Sequence, residues 1–165
     1  MESWNQTVAE LATVRGVALK RHAFLLCGDG ARAEDLVQEA LVRAFSRPLR
    51  APRPDKAEAY VRAIMVNLYI DETRRRSRWA RIAPLLEAPR VAADPADRVA
   101  SRDAMLTALG RLSPRQRACV VLRYYEDQPV AAIAKTLGVA EGTVKGYLSE
   151  ALTQMAVRLS AADHG

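Results

Sequence analysis

The sequence predicts an all-α protein made of two small helical domains, residues 1–81 and 101–165, joined by a flexible linker over residues 82–100. Three observations predict this architecture. Alanine, leucine, valine and arginine dominate, and aromatic residues make up only 5% of the chain, which favours helices over strands. Apolar residues recur at helical spacing in both outer segments. The segment between them holds three prolines and no sustained periodicity, so we expect it to connect the two domains.

The first domain divides into three predicted helices. The first runs from Val8 to Leu26 and ends at Gly28-Asp29-Gly30, because glycine readily adopts the conformations that reverse a chain. The second runs from Ala31 to Phe45. Prolines 48, 52 and 54 then force a loop, since proline lacks a backbone donor and disfavours helix at the residue before it. A long third helix is predicted from Ala57 to Trp79.

This third helix has two different faces. An apolar stripe is predicted to pack on the neighbouring helices; its members are Val61, Ile64, Met65, Leu68 and Trp79. A polar stripe lies about a quarter-turn away, and the helix ends in four arginines within five residues. Arginines can contact phosphates, and an asparagine offers both a donor and an acceptor to a base edge. The sequence therefore predicts a DNA-binding face, with the candidates Tyr60, Asn67, Asp71, Arg74, Arg75 and Arg78.

The second domain contains a pattern typical of two helices that cross at a tight corner. Ala134 permits close approach, Gly138 permits a left-handed turn, and Val144 fills the angle between the helices. We interpret this segment as a helix-turn-helix, which places the start of its second helix in the major groove. The residues off its apolar stripe are candidates to touch DNA: Glu141, Gly142, Thr143, Lys145, Gly146 and Ser149. The preceding helix, with a packing face that includes Tyr124, adds Arg115 and Arg117 as candidates for phosphate contact.

Charge and chemistry narrow the function classes. The formal net charge is +6, of which residues 1–81 contribute +5, and a basic balance suits nucleic acid or another anionic surface. The two cysteines and two histidines form no pattern of a metal site, a disulfide framework or a catalytic centre, and no phosphate-binding glycine loop is present. We therefore expect no enzyme and no cofactor. The sequence also has no apolar run long enough to cross a membrane and no signal peptide, so we expect a cytoplasmic protein.

Three motifs in this order resemble an extracytoplasmic-function (ECF) sigma factor of the sigma-70 family. The first is GDGARAEDLVQEALVRAF at residues 28–45, and the second is AYVRAIMVNLYIDETRRRSR at residues 59–78. The third is LSPRQRACVVLRYYEDQPVAAIAKTLGVAEGTVKGYLSEAL at residues 112–152. The resemblance covers roughly residues 8–160. It implies an RNA polymerase sigma factor whose first domain, region 2, reads and melts the promoter −10 element, and whose second, region 4, reads the −35 element.

The resemblance also implies partners and roles for single residues. Core RNA polymerase is the expected partner, together with promoter DNA. Control would come either from an anti-sigma factor or from the level of expression, and the sequence does not decide between them. The acidic helix would bind the clamp helices of the polymerase largest subunit through Asp35, Leu36, Gln38 and Glu39, and the second domain would bind the flap of the other large subunit. The position of Asn67 corresponds to the pocket that captures a flipped base, and the loop from Leu49 to Lys56 helps to form that pocket.

The recognition helix departs from the family. Where members commonly continue with a Ser-Arg-Leu-Ser-Arg-Ala-Arg pattern, this chain has GYLSEAL at residues 146–152, which loses three cations and adds an acid. The affinity or sequence preference for the upstream element is therefore open. An alternative interpretation is a stand-alone helix-turn-helix regulator that does not engage polymerase. A third, an enzyme acting on nucleic acid, would need a carboxylate cluster or metal site that the sequence does not display.

Overall fold

The computed structural model describes residues 2–47, 52–82 and 100–163. Within these residues every regular element is helical, which confirms the predicted all-α fold. The predicted linker, residues 82–100, meets them only at its two ends: Ile82 is the last residue of one helix and Ala100 the first of the next. Residues 83–99 lie outside the described part of the chain.

We number the α-helices of the described residues in chain order. They are α1 (Glu2–Val14), α2 (Gly16–Cys27), α3 (Gly30–Ser46), α4 (Ala57–Ile82), α5 (Ala100–Gly110), α6 (Pro114–Val120), α7 (Val130–Leu137) and α8 (Glu141–Asp163). A short 3-10 turn, Pro54–Lys56, leads into α4, and a π turn, Val121–Tyr125, continues α6. We call residues 2–82 the first half and residues 100–163 the second half.

The single helix predicted from Val8 to Leu26 is wrong, because the chain bends at Arg15 and forms two helices. Arg15 has φ −111° and ψ 10°, outside the helical region, and Gly16 beside it has a low helix propensity. The Arg15 guanidinium also hydrogen-bonds Glu58 at the start of α4, with an Nη2–Oε1 distance of 3.0 Å. This bend lets α1 and α2 each pack on α3 and α4.

The first half is built on the apolar stripe of α4. Val61 and Met65 are fully buried there, and α2 contributes Leu19 and Leu26 to the same core. The corner between α2 and α3 is where the glycines predicted it: Gly28 is left-handed at φ 71°, and the Asp29 carboxylate caps α3. Trp79, expected to continue the stripe, is instead 63% exposed, since no described element covers the last turns of α4.

The second half contains the predicted helix-turn-helix. Helix α7 ends at Gly138, which is left-handed with φ 66° and whose backbone N–H donates to the Ala134 carbonyl. Ala134 and Val144 are buried where α7 and α8 meet, as the pattern predicted. Tyr124 was predicted to face the core, but its side chain is 51% exposed. It lies in the π turn, and the extra residue of this turn shifts the helical register.

The two halves pack directly on each other. Helix α4 contacts α6 and α7, and α2 contacts α5, α6 and the π turn. The sequence predicted two domains joined by a flexible linker and left their relative orientation open, so pattern and composition did not indicate this interface. It brings the helix-turn-helix against the same helix, α4, that carries the predicted DNA-binding face.

Candidate nucleic-acid interface

The outer face of α4 is polar and strongly cationic. Of its predicted DNA-binding residues, all but Tyr60 are exposed: Asn67, Asp71, Arg74, Arg75 and Arg78. Among the described residues, none of Arg74, Arg75 and Arg78 forms an ion pair. Arg76 differs, because its Nη2 lies 3.2 Å from Glu72 Oε1 one turn earlier. Three guanidinium groups are therefore available to phosphates along one helix.

A cavity of about 380 Å³ opens beside this face, between α3 and α4. Its lining combines aromatic, apolar and polar groups with two cations; the residues are Arg43, Arg47, Tyr60, Ala63, Ile64, Asn67, Leu68 and Asp71. Tyr60 is held in place by Trp4, whose ring meets it edge-on at a centroid distance of 5.8 Å. An aromatic ring beside an amide, with cations at the rim, can accept an unpaired base and its phosphates. We call this space the base cavity.

The sequence reasoning missed the two cationic members of the base cavity. Arg43 and Arg47 come from the last turn and end of α3, a helix that the sequence marked only for its acidic face. Arg43 is partly neutralised by Glu39, with an Nη2–Oε1 distance of 3.1 Å. The spacing of the two arginines, four residues apart, is a signal that could have placed them on one side of α3. In the predicted pocket loop, residues 49–51 lie outside the described part.

The Asn67 amide is exposed but engaged. Its Nδ2 donates to the Ala63 carbonyl one turn earlier on α4 and to the Thr136 carbonyl on α7, both at 3.1 Å. The second bond crosses from one half of the protein to the other. The side chain predicted to meet a base is therefore held by the first helix of the helix-turn-helix.

The predicted recognition surface of α8 is open. All six candidates there are exposed, namely Glu141, Gly142, Thr143, Lys145, Gly146 and Ser149, while Val144 and Leu148 point into the core. Glu150, the unusual acid on this helix, accepts a hydrogen bond from Gln116 Nε2 at 2.9 Å. This bond joins α8 to α6. Glu150, one of the residues that depart from the family pattern, therefore stabilises the packing of the second half.

The two candidate phosphate contacts on α6 have different surroundings. Arg115 is half-buried, and its Nη1 lies 3.5 Å from the Tyr147 hydroxyl. Arg117 is 6% exposed, and its Nε donates to the Leu25 carbonyl of α2 at 2.7 Å. The prediction that Arg117 is available to DNA is wrong for this arrangement, because α6 packs its side chain against the first half. Burial also lowers the pKa of Arg117.

The predicted polymerase-binding helix is α3. Asp35, Gln38 and Glu39 are exposed on it, as a contact surface requires. Leu36 is 3% exposed and belongs to the core, so its prediction as a surface contact is wrong: the apolar stripe of α3 points it inward. Val42 and Phe45, which were not predicted, are exposed and extend the Asp35 face by helical spacing. The face is therefore acidic at one end and apolar at the other.

A partly buried charged cluster lies between the halves. Glu126, just after the π turn, pairs with Arg62 of α4 and accepts from His22 Nδ1 of α2 at 3.0 Å. Arg62 also pairs with Glu58 at 2.7 Å. Desolvation, with the positive charge of Arg62, lowers the pKa of His22 to about 3 despite the opposing charge of Glu58. The imidazole is therefore neutral and donates to Glu126 as a structural group.

The remaining chemistry is that of a folded core. Cys119 is buried, and its burial raises the pKa of the thiol to about 11. Across residues 2–47, 52–82 and 100–163, no cluster of side chains has the composition of a metal site. None of the helices in that part of the chain is both apolar and long enough to traverse a bilayer.

Comparison with known families covers both halves. Residues 10–79 match the family described as Sigma-70 region 2, and residues 102–155 match Sigma-70, region 4. The chain is 34% identical over 160 residues to the RNA polymerase sigma-E factor of Streptomyces coelicolor, covering 93% of this chain and 86% of the relative. It is also 34% identical over 166 residues to the ECF RNA polymerase sigma factor SigL of Mycobacterium tuberculosis, covering 92% and 91%.

A solved structure supports the same relationship in three dimensions. The sigma factor RpoE of Bartonella quintana, in complex with the anti-sigma factor NepR, superposes with a TM-score of 0.72 at 27% identity. The match covers 92% of this chain and 95% of that one, so it includes both helical halves. The chain therefore belongs to the sigma-70 family, in its ECF group, whose members direct RNA polymerase to promoters.

Proposed function

We propose that this chain recognises two promoter elements for core RNA polymerase and helps to open the DNA at one of them. It would do so by binding alone, without catalysis, in the cytoplasm where polymerase works. The observation that carries the proposal is the base cavity between α3 and α4, which Asn67 and Tyr60 line. Further along α4, Arg74, Arg75 and Arg78 are exposed and have no acidic partner among the described residues. A regulator that binds only duplex DNA has no need of such a cavity.

At the −10 element we infer that a base leaves the stack and enters the base cavity. Unstacking costs a few kcal/mol, and this cost is offset when the base stacks on an aromatic ring and the strand meets cations. Tyr60 supplies the ring, and the Asn67 amide can donate to and accept from the base edge. Arg74 and Arg78 would then hold the phosphates of the same strand.

At the −35 element the start of α8 would enter the major groove. Its exposed polar residues are grouped in the first three turns, with the backbone open at Gly142 and Gly146. Lys145 is the one cation between positions 140 and 150, so phosphate attraction along this helix is weak. We infer that shape and hydrogen bonding contribute more to this contact than charge does.

The protein partners follow from the α3 face and from the family. We propose that Asp35, Gln38 and Glu39 contact the clamp helices of the polymerase largest subunit, with Val42 and Phe45 supplying the apolar part of the contact. The second half would bind the flap of the other large subunit. Because the similar RpoE structure is a complex with an anti-sigma factor, we also propose such a regulator for this chain.

Runoff transcription with purified core polymerase tests the proposal. Promoter-dependent transcripts should appear on genomic templates only when this chain is added. If the chain binds the same templates and yields no transcript with polymerase, it acts as a stand-alone regulator and the proposal fails. The matched control is the chain with Asp35→Lys and Glu39→Lys, which should bind core polymerase more weakly and give correspondingly less transcript.

A further inference from the structure

The recognition helix α8 carries little positive charge of its own. Lys145 is its one cation between positions 140 and 150. Contacts to phosphates orient a helix in the major groove, and arginine and lysine side chains are frequent donors in such contacts. A cation on a neighbouring helix that lies close to α8 would therefore add to the attraction between this helix and DNA.

Arg115, the second residue of α6, is such a cation. Its Nη1 lies 3.5 Å from the Tyr147 hydroxyl of α8. No carboxylate in the described part of the chain forms an ion pair with it. A distance of 3.5 Å is at the long end for a hydrogen bond, so the hydroxyl restrains the guanidinium without neutralising it. The other N–H groups of Arg115 can therefore donate to an anion.

Gln116 fixes the start of α6 against α8. Its backbone N–H donates to the Ser113 hydroxyl at 3.2 Å, and its Oε1 accepts from the Ser113 N–H at 3.1 Å, so the two residues form a capping box. Its Nε2 donates to Glu150 of α8 at 2.9 Å. The same side chain therefore caps α6 and joins it to α8. Arg115 precedes Gln116 directly in the chain, so its backbone has a fixed position beside α8.

Tyr147 holds its hydroxyl at a defined place. Its side chain is partly buried and packs against the hydrophobic core, and a tyrosine has only two χ angles before its rigid ring. An aromatic side chain packed in this way keeps its polar end for a hydrogen-bond partner. Tyr147 lies one helical turn after Thr143, one of the exposed candidates to touch DNA. Arg115 is therefore held at an edge of the proposed recognition surface.

We propose that Tyr147 positions Arg115 to bind a phosphate of the upstream promoter element, so that a cation of α6 serves the recognition helix. The proposal rests on the proposed entry of α8 into the major groove. The groove is bordered by the two phosphate backbones, so a cation at the flank of the inserted helix meets a phosphate rather than a base edge. A guanidinium that is already restrained also loses less side-chain entropy on binding than a free one.

Two single variants separate the roles of the two side chains. Arg115→Ala should weaken the binding of promoter DNA by about 10-fold and lower the slope of log affinity against log salt by about 0.9. Tyr147→Phe keeps the packed ring and removes only the hydroxyl, so binding should weaken by about 3-fold, with a smaller change of slope. In the Arg115→Ala background, Tyr147→Phe should weaken binding no further, because the group that it positions is absent.

The measurement is the fluorescence anisotropy of a promoter duplex that supports runoff transcription, titrated with reconstituted polymerase over a range of salt concentrations. Arg21→Ala is the charge control, because it removes the same charge from an exposed position on α2. Tyr124→Phe is the hydroxyl control, since Tyr124 is an exposed tyrosine of the second half. Both controls should bind as the wild type does, and circular dichroism checks the helix content of every variant. Tyr147→Arg combined with Arg115→Ala returns a cation to the same place from α8, so it should recover at least about half of the lost log affinity and slope.

Each other result overturns the proposal. If Tyr147→Phe binds as the wild type does, or loses as much affinity in the Arg115→Ala background as alone, Tyr147 does not act through Arg115. If Arg115→Ala leaves the salt slope unchanged, or if Arg21→Ala lowers it equally, Arg115 contacts no phosphate. Failure of Tyr147→Arg to recover binding would reject a cation site beside α8. Runoff transcription by the wild-type chain separates these failures from a failure of the proposed function, because transcripts with no effect of the variants on binding reject the positioning role alone.

Discussion

Replacing Arg74 and Arg78 by alanine should make promoter binding less sensitive to salt. Both side chains are exposed on the outer face of α4, and neither has an acidic partner among the described residues. If each holds one phosphate of a single strand, the slope of log affinity against log salt falls by about 0.7 per contact, or about 1.4 for the pair. Between about 50 and 200 mM salt, the advantage of the wild type should then shrink about 7-fold.

The measurement is a salt titration with reconstituted polymerase. Anisotropy of a labelled forked promoter DNA gives the affinity at each salt concentration for wild-type and variant complexes. Arg76→Ala is the control, because it removes the same charge from the same helix but its guanidinium is paired with Glu72. We expect this control to change the slope by much less per arginine than the double variant does.

Two results would refute this reasoning. An unchanged slope in the double variant would mean that Arg74 and Arg78 contact no phosphate and are ordinary solvated side chains. An Arg76→Ala slope change as large per arginine as that of the double variant would mean that the net charge of the helix, not individual contacts, attracts DNA.

Three further predictions concern single residues. Asn67→Ala should slow strand opening, followed by permanganate reactivity of unpaired thymines, by more than it weakens polymerase binding. His22 should make stability depend on pH. Its pKa is lowered from 6.5 to about 3 in the folded protein, so as pH falls the His22 imidazole binds a proton in the unfolded chain before it does so in the folded one. The free energy of unfolding should drop by about 2 kcal/mol between pH 7.5 and 5, and urea titrations should show a smaller drop in His22→Gln. Gly138→Ala should destabilise the protein by about 1 kcal/mol, because the backbone of Gly138 is left-handed. Gly142 lies in a helix with open space around it, so Gly142→Ala should stabilise the protein by a similar amount. Thermal melts measure both changes.

Each of these predictions has an outcome that contradicts it. Equal losses of opening and polymerase binding in Asn67→Ala would reject the role of the amide in capturing a base. A pH profile unchanged by His22→Gln would mean that the carboxylates alone set the acid sensitivity. Equal stability changes for the two glycine variants would show that the corner of the helix-turn-helix does not require a left-handed residue.

Apart from the break at Arg15, the sequence predicted the helices of the first half and the helix-turn-helix, because local rules decide them. Gly138 is left-handed and Val144 is buried, as the spacing indicated, and the α2–α3 corner falls at Gly28. The polar face of α4 followed from helical periodicity alone, and its Asn67 and arginines are exposed. These features depend on residues within a few positions of one another, so a local sequence pattern is enough to predict them.

The rest depends on contacts between distant residues. Arg117 looks like a surface cation in sequence and is buried only because α6 meets Leu25, 92 residues earlier. Trp79 has the right phase for the core, but no described element reaches it. The pairing of Glu126 with Arg62 and His22 likewise cannot be predicted from helical periodicity, because these residues are far apart in the sequence. Tertiary packing, rather than local propensity, decided each of these positions.

The π turn at Val121–Tyr125 has a consequence for how such proteins diverge. The Glu126 N–H bonds the Val121 carbonyl five residues back at 3.1 Å, so one extra residue in this turn sets the direction of its carboxylate. Deleting one residue there would convert the turn to ordinary helix and rotate the downstream residues by about 100°. Sequence divergence at this turn can therefore make or break the pairing of Glu126 with Arg62 and His22 without changing any residue of the surfaces for DNA and polymerase.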